Sequence, residues 1–182
     1  MMKRSTIPAF LAAAFLAAIS ADAKVLPARK AAPTFEATIT RAVDGDTLFV
    51  KPEHGPEVKV RLHFADCPEI AHTPNETDQP GGREALDYVK KHWQGKAVTV
   101  TQHGVSYGRP IVDVVETASG KNLALDEVRL GLAQVDPRFH PPQAFKDAQK
   151  AAMLNHLGVF AETQTPMSPA DWRKQQRNKK DK

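Results

Sequence analysis

The sequence predicts a mainly β fold with helices (α+β): a small five-stranded Greek-key barrel with about three helices packed against it. Three observations carry that prediction. A meander of three period-two strands opens the folded part, a helix-period segment follows, and two further strand patterns precede a return to helix. The composition suits a single folded domain: 182 residues, 41% hydrophobic and 25% charged, with a net charge of +4. Such a mild basic excess is a weak pointer to nucleic acid by itself.

The first strand has Phe35, Ala37, Ile39 and Val43 alternating with Glu36, Thr38 and Thr40, the pattern of a half-buried strand. Asp44-Gly45 is a hairpin signal, and Thr47 to Val50 is the returning strand. After the His54-Gly55-Pro56 turn, a third strand puts Val58, Val60, Leu62 and Phe64 on the core face and Lys59, Arg61 and His63 on the other. Pro74, Pro80, Gly81 and Gly82 then mark a loop. Leu86, Val89 and Trp93 share a helix face within Arg83 to Gln94, and Gly95 is placed to stop it. Lys96 to His103 and Pro110 to Glu116 read as strands, Leu123 to Gly131 as a helix, and Gln134-Val135 as a short strand. Pro141-Pro142 opens the last expected helix, with Phe145, Ala148 and Ala152 on one face and Gly158 as its end.

The two ends read differently. Residues 1–23 have a basic start, the apolar run Ile7 to Ile19, and small residues at Ala21 and Ala23. That is the pattern of a secretory signal peptide cleaved after Ala23, because the run is shorter than the roughly 20 residues that span a bilayer. A secreted or periplasmic protein with no membrane span after cleavage is therefore expected. Residues 24–33 read as a flexible lead-in and 34–172 as the folded domain. Residues 173–182, with Arg173, Lys174, Arg177, Lys179, Lys180 and Lys182, read as a solvated basic tail.

Chemistry-bearing residues cluster where strands end. Asp46 follows the first hairpin turn, Arg61 lies on the third strand, Asp66 and Glu69 sit at its exit, and Arg109 opens the last barrel strand. A sheet can bring Asp46, Arg61 and Asp66 to one rim, where two carboxylates and a backbone carbonyl make a hard-oxygen site suited to Ca²⁺. The same residues also fit turn chemistry and strand termination, and spacing alone leaves both readings open. A single cysteine, Cys67, excludes an intrachain disulfide, and no His pair has zinc spacing with Cys partners. His63 shares the outward parity of Arg61 and reads as a solvated strand position.

Val43-Asp44-Gly45-Asp46-Thr47, then Arg61-Leu62 with Asp66-Cys67-Pro68-Glu69, then Tyr107-Gly108-Arg109 resemble the three signature segments of the staphylococcal nuclease (thermonuclease) family. Val128 to Ala133 resembles its Arg-x-Gly-Leu-Ala helix, and Pro169-Ala170-Asp171-Trp172-Arg173 an ending found in bacterial members. The likeness covers about Phe35 to Trp172 and implies an OB-fold barrel. It also implies a phosphodiesterase that cuts DNA or RNA with little sequence specificity and leaves 3′-phosphate ends. By the same resemblance Asp46, Asp66 and the main-chain carbonyl of Cys67 are Ca²⁺ ligands, and Glu69 orients or deprotonates the attacking water. Arg61 and Arg109 hold the scissile phosphate, Tyr107 is kept at a substrate position, and Phe139 can stack on a base. Pro137 and Val105-Ser106 depart from the family pattern. A monomer is expected. The alternative is a noncatalytic nucleic-acid-binding barrel of the cell envelope.

Overall fold

The computed structural model describes residues 32–74, 76–163 and 165–180. The expected signal peptide and most of the lead-in lie outside the described residues. Five long strands form a closed barrel: β1 (Thr34–Ala42), β2 (Thr47–Pro52), β3 (Val58–Leu62), β5 (Ala97–Ser106) and β6 (Arg109–Glu116). Around the barrel the order is β1-β2-β3-β6-β5, with β1 and β5 closing it. The β3–β6 pair is parallel, and the other four are antiparallel. Two short strands, β4 (Ala65–Asp66) and β7 (Gln134–Val135), make a separate two-stranded sheet. This is the five-stranded OB-type barrel that the strand pattern predicts.

The interior follows from strand parity. Ile39, Leu48, Val50, Val60, Leu62, Val98, Val100, Val112 and Val114 are all fully buried, the β-branched and branched aliphatics that pack a pleated inner face. Helix α1 (Gly82–His92) lays Ala85, Leu86 and Val89 against the barrel, and Trp93 closes its end as one of the largest buried side chains. Helices α2 (Leu123–Arg129) and α3 (Gln143–Leu154) pack on each other, with Phe145, Ala148 and Ala152 turned inward.

Three expectations differ in detail. The third strand stops at Leu62 rather than running to Phe64, because Phe64 takes a left-handed φ of 67°, stacks on His63 and packs at the margin of the core against Phe145. Helix α3 ends at Leu154, with Asn155 bonding back to the Ala151 carbonyl, so Gly158 does not terminate it. Gly158 instead packs backbone to backbone on Gly131, where an added Cβ would lie 2.3 Å from the Leu157 carbonyl oxygen. Finally, the expected solvated tail is folded: Pro169–Lys180 forms a fourth helix, α4. Ser168 caps it, accepting from Asp171 N at 3.1 Å while its hydroxyl donates to the Asp171 carboxylate at 2.7 Å. With Pro169 at the first helical position this is a strong start signal. Among the described residues no helix is long and apolar enough to cross a membrane.

Candidate active site

The site is built outward from the β1–β2 turn. Asp44 accepts from the backbone N–H of Asp46 at 3.0 Å and of Thr47 at 2.6 Å, an Asx turn that fixes where Asp46 points. Gly45 is required by close approach: a Cβ there would lie 2.6 Å from Cys67 Sγ. Register does the rest. Thr47 pairs with Arg61 across β2–β3, and Leu62 N donates to the Asp46 carbonyl at 2.8 Å. Asp66, in β4, pairs with Gln134 of β7. The loop that follows is braced by buried Gln79, whose side chain accepts from Glu69 N at 3.2 Å and donates to the Met167 carbonyl at 2.9 Å.

These placements bring Asp46, Arg61, Asp66, Cys67 and Glu69 together. Asp46 is 3% exposed, Asp66 5% and Arg61 8%. The Arg61 guanidinium spans the two aspartates, Nη1 at 2.7 Å from Asp46 Oδ1 and Nη2 at 2.6 Å from Asp66 Oδ1. So the outward parity of Arg61 does not make it solvated. Asp46 is pinned further by Cys67 N at 3.0 Å and the Thr47 hydroxyl at 3.1 Å. Arg109 stands at the start of β6, half-buried, with Nη1 3.5 Å from the Thr47 hydroxyl. It belongs to the same rim but is not paired with a carboxylate.

Cys67 contributes its backbone here, and its thiol faces inward. Sγ lies 3.5 Å from Oε1 of Glu127, and both side chains are fully buried. Burial, then the charge of Glu127 on the thiol and of Asp46 on the carboxyl, pushes both groups well above their ordinary values. The thiol is a packed filler.

Two expected substrate residues stand apart from the carboxylates. Tyr107 is 96% exposed on the β5–β6 turn, with φ at 50°. Phe139 closes a short 3₁₀ turn (Pro137–Phe139) and sets its ring edge against His63 at 5.1 Å, part of its surface thereby committed.

The residue that sequence reasoning missed is Arg173. From α4 its Nη1 and Nη2 each lie 3.2 Å from an oxygen of Asp66, and Nη1 also donates to Glu69 Oε1. A groove of about 200 Å³ lies between α4 and the loop after β4, lined by Glu69, Trp172, Arg173 and Arg177 among others. A larger cavity of about 490 Å³ lies beside Gln79, Leu132, Met167 and Trp172, away from the aspartates.

Four carboxyl groups share this rim with Arg61, Arg109 and Arg173. Burial first, then the charge of Asp46, lifts the Asp44 carboxyl to about 8. Glu69 is raised by burial although Arg173 opposes the rise. For Arg61, burial works against the charge, but Asp46 and Asp66 override it and hold the guanidinium firmly cationic. Two buried aspartates bridged by a cation, with Glu69 beside them, form a hard-oxygen donor set that fits a small dication.

Comparison with known proteins identifies the family. The model of the family described as staphylococcal nuclease homologue matches residues 59–162. Endonuclease YhcR of Bacillus subtilis is 33% identical, over 88% of this chain and 14% of its own length. This chain thus spans a small part of that relative. The thermonucleases of Staphylococcus intermedius and Staphylococcus hyicus are 32% and 31% identical over 67% and 68% of this chain, and 74% of each relative is covered. The chain belongs to the staphylococcal nuclease homologue family, and the activity that membership supports is that of a nuclease, a phosphodiesterase.

Proposed function

We propose that the chain is an exported, Ca²⁺-dependent nuclease that hydrolyses DNA and/or RNA with little sequence specificity, leaves 3′-phosphate ends, and works as a monomer. The observation that carries this reading is the Asp46–Arg61–Asp66 bridge, with Glu69 beside it and Arg109 on the adjoining strand. Asp46, Asp66 and the main-chain carbonyl of Cys67 are the groups that would hold the ion. When bound, a divalent cation supplies Lewis-acid charge to a phosphoryl oxygen.

The chain's own residues do the rest. Glu69, raised by burial, is a better proton acceptor than an exposed glutamate and sits where it can orient a water. Arg61 and Arg109 offer planar forks that match two phosphate oxygens and stay charged through the reaction. Their charge offsets what develops as a phosphodiester gains a fifth oxygen. Arg61 pairs with both aspartates, so its fork would reach a phosphate where a bound dication compensates those acids. Contacts of this kind go to the backbone, which accounts for low sequence specificity.

The test is digestion of plasmid DNA and of RNA with Ca²⁺, then with chelator, with analysis of product ends. Cleavage that needs Ca²⁺, stops on chelation and yields 3′-phosphates is the expected result. Binding without cleavage under every divalent ion would make the chain a noncatalytic barrel and overturn the proposal.

A further inference from the structure

A second cluster of ligating side chains lies on the barrel wall, apart from the aspartates. It takes one residue from each of three adjacent strands or their ends: His63 just past β3, Asp113 on β6 and His103 on β5. The topology explains the juxtaposition. Parallel pairing of Arg61 with Ile111 carries His63 alongside Asp113, and His63 N donates to the Val112 carbonyl at 2.8 Å. On the other side β5 is irregular between Gln102 and Gly104, and the shift turns His103 toward Asp113.

One ligand atom from each residue lies within 4.8 Å of the other two. His103 Nε2 is 2.7 Å from Asp113 Oδ2. His63 Nδ1 is 3.5 Å from Asp113 Oδ1, a long ion-pair contact, and both atoms are buried with no hydrogen-bond partner among the described residues. Buried polar atoms left unpaired are rare in folded proteins and call for an explanation. The rings are held in place: His63 stacks on Phe64 and on His103 at 4.5 Å, and Phe139 meets its edge.

We infer that His63, His103 and Asp113 form a second metal site, for a borderline first-row divalent cation of the Zn²⁺ class. The donor set decides the class. Two imidazole nitrogens and one carboxylate suit Zn²⁺, Cu²⁺ or Ni²⁺, whereas Ca²⁺ takes oxygen donors in larger number. Three protein ligands leave a coordination position open, as in zinc sites that exchange a bound water. An ion there would satisfy both orphaned atoms. It would also fix the ring against which Phe139 rests, tying the site to the loop that carries a proposed base-stacking residue.

The site is independent of the proposed Ca²⁺ reading, so the test uses binding rather than cleavage. Untagged, full-length protein freed of metal is titrated with Zn²⁺ in excess Ca²⁺, by calorimetry, and with Co²⁺ while visible absorption is recorded. One Zn²⁺ per chain that Ca²⁺ does not displace is expected, with Co²⁺ bands of mixed nitrogen and oxygen ligation. His103→Ala and Asp113→Asn should each weaken Zn²⁺ by roughly 10-fold or more, and circular dichroism should report an intact fold. His140→Ala and His156→Ala, exposed elsewhere, should change nothing. No Zn²⁺ binding in the presence of Ca²⁺, or binding that survives both His103→Ala and Asp113→Asn, would overturn the inference. So would loss of binding in His140→Ala or His156→Ala.

Discussion

Replacing Arg61 with alanine probes the site through stability as well as activity. The side chain makes two buried ion pairs, at 2.7 Å with Asp46 and 2.6 Å with Asp66. Removing one partner of a buried pair leaves an uncompensated charge and typically costs about 3–5 kcal/mol. Here the loss is unequal. Asp66 keeps Arg173 at 3.2 Å, and Asp46 keeps, among the described residues, the neutral donors Cys67 N and Thr47 Oγ1. One orphaned carboxylate rather than two places the expected cost at the low end, about 3 kcal/mol. Urea unfolding in chelator measures it. Repeating the titration in saturating Ca²⁺ should shrink the penalty by more than half, because the ion compensates the same acids and binds more tightly to the variant, whose aspartates no longer face a competing guanidinium. A cost below about 1 kcal/mol in chelator, the range of an exposed pair, or an unchanged cost in Ca²⁺, would refute the reasoning.

Glu69→Gln and Arg109→Ala should each lower turnover on plasmid DNA by about 10²-fold or more, the loss expected for a charge-stabilising or proton-accepting group; near-wild-type rates in folded protein would reject both roles. Arg173→Ala removes a cation that competes for Asp66 and Glu69, so Ca²⁺ should bind a few-fold tighter by calorimetry, and weaker binding would make Arg173 a support for the site instead. Asp136 is buried and paired with Arg138 at 2.5 Å; burial works against its charge, but the Arg138 contacts prevail and hold its carboxyl below the ordinary value. The depressed value means that its stabilising contribution is full above about pH 4 and is lost as pH falls through the folded value. Thermal unfolding of Asp136→Asn should therefore lie below wild type at pH 7 and converge with it in acid, and parallel curves would contradict that linkage.

Much of this architecture is legible in the residues because its causes are local. The meander follows from alternation in Phe35 to Phe64, and the carboxylate pair from a turn and a strand exit that register must join. What escapes is long-range or masked by charge. Helix α4 has a clear start in Ser168-Pro169-x-Asp171, yet its basic composition offers no apolar face, so the stretch reads as solvated. Its helical form is what carries Arg173 to Asp66 and Glu69, more than a hundred positions earlier in the chain. The His63–His103–Asp113 cluster depends on an irregularity in β5 and a parallel strand pair, neither of which leaves a spacing signature. A search for cysteine-partnered zinc spacing passes over it. Glu127 looks like one polar residue on an amphipathic helix, and only packing shows that it is enclosed with Cys67.

If Asp46 and Asp66 hold the ion on which cleavage depends, each governs Ca²⁺ affinity. Calorimetric titration of chelator-treated wild type, Asp46→Ala and Asp66→Ala with Ca²⁺ should find one site per chain in wild type, weakened roughly 10-fold or more in either variant; wild-type affinity in both variants would remove the two aspartates from the metal site.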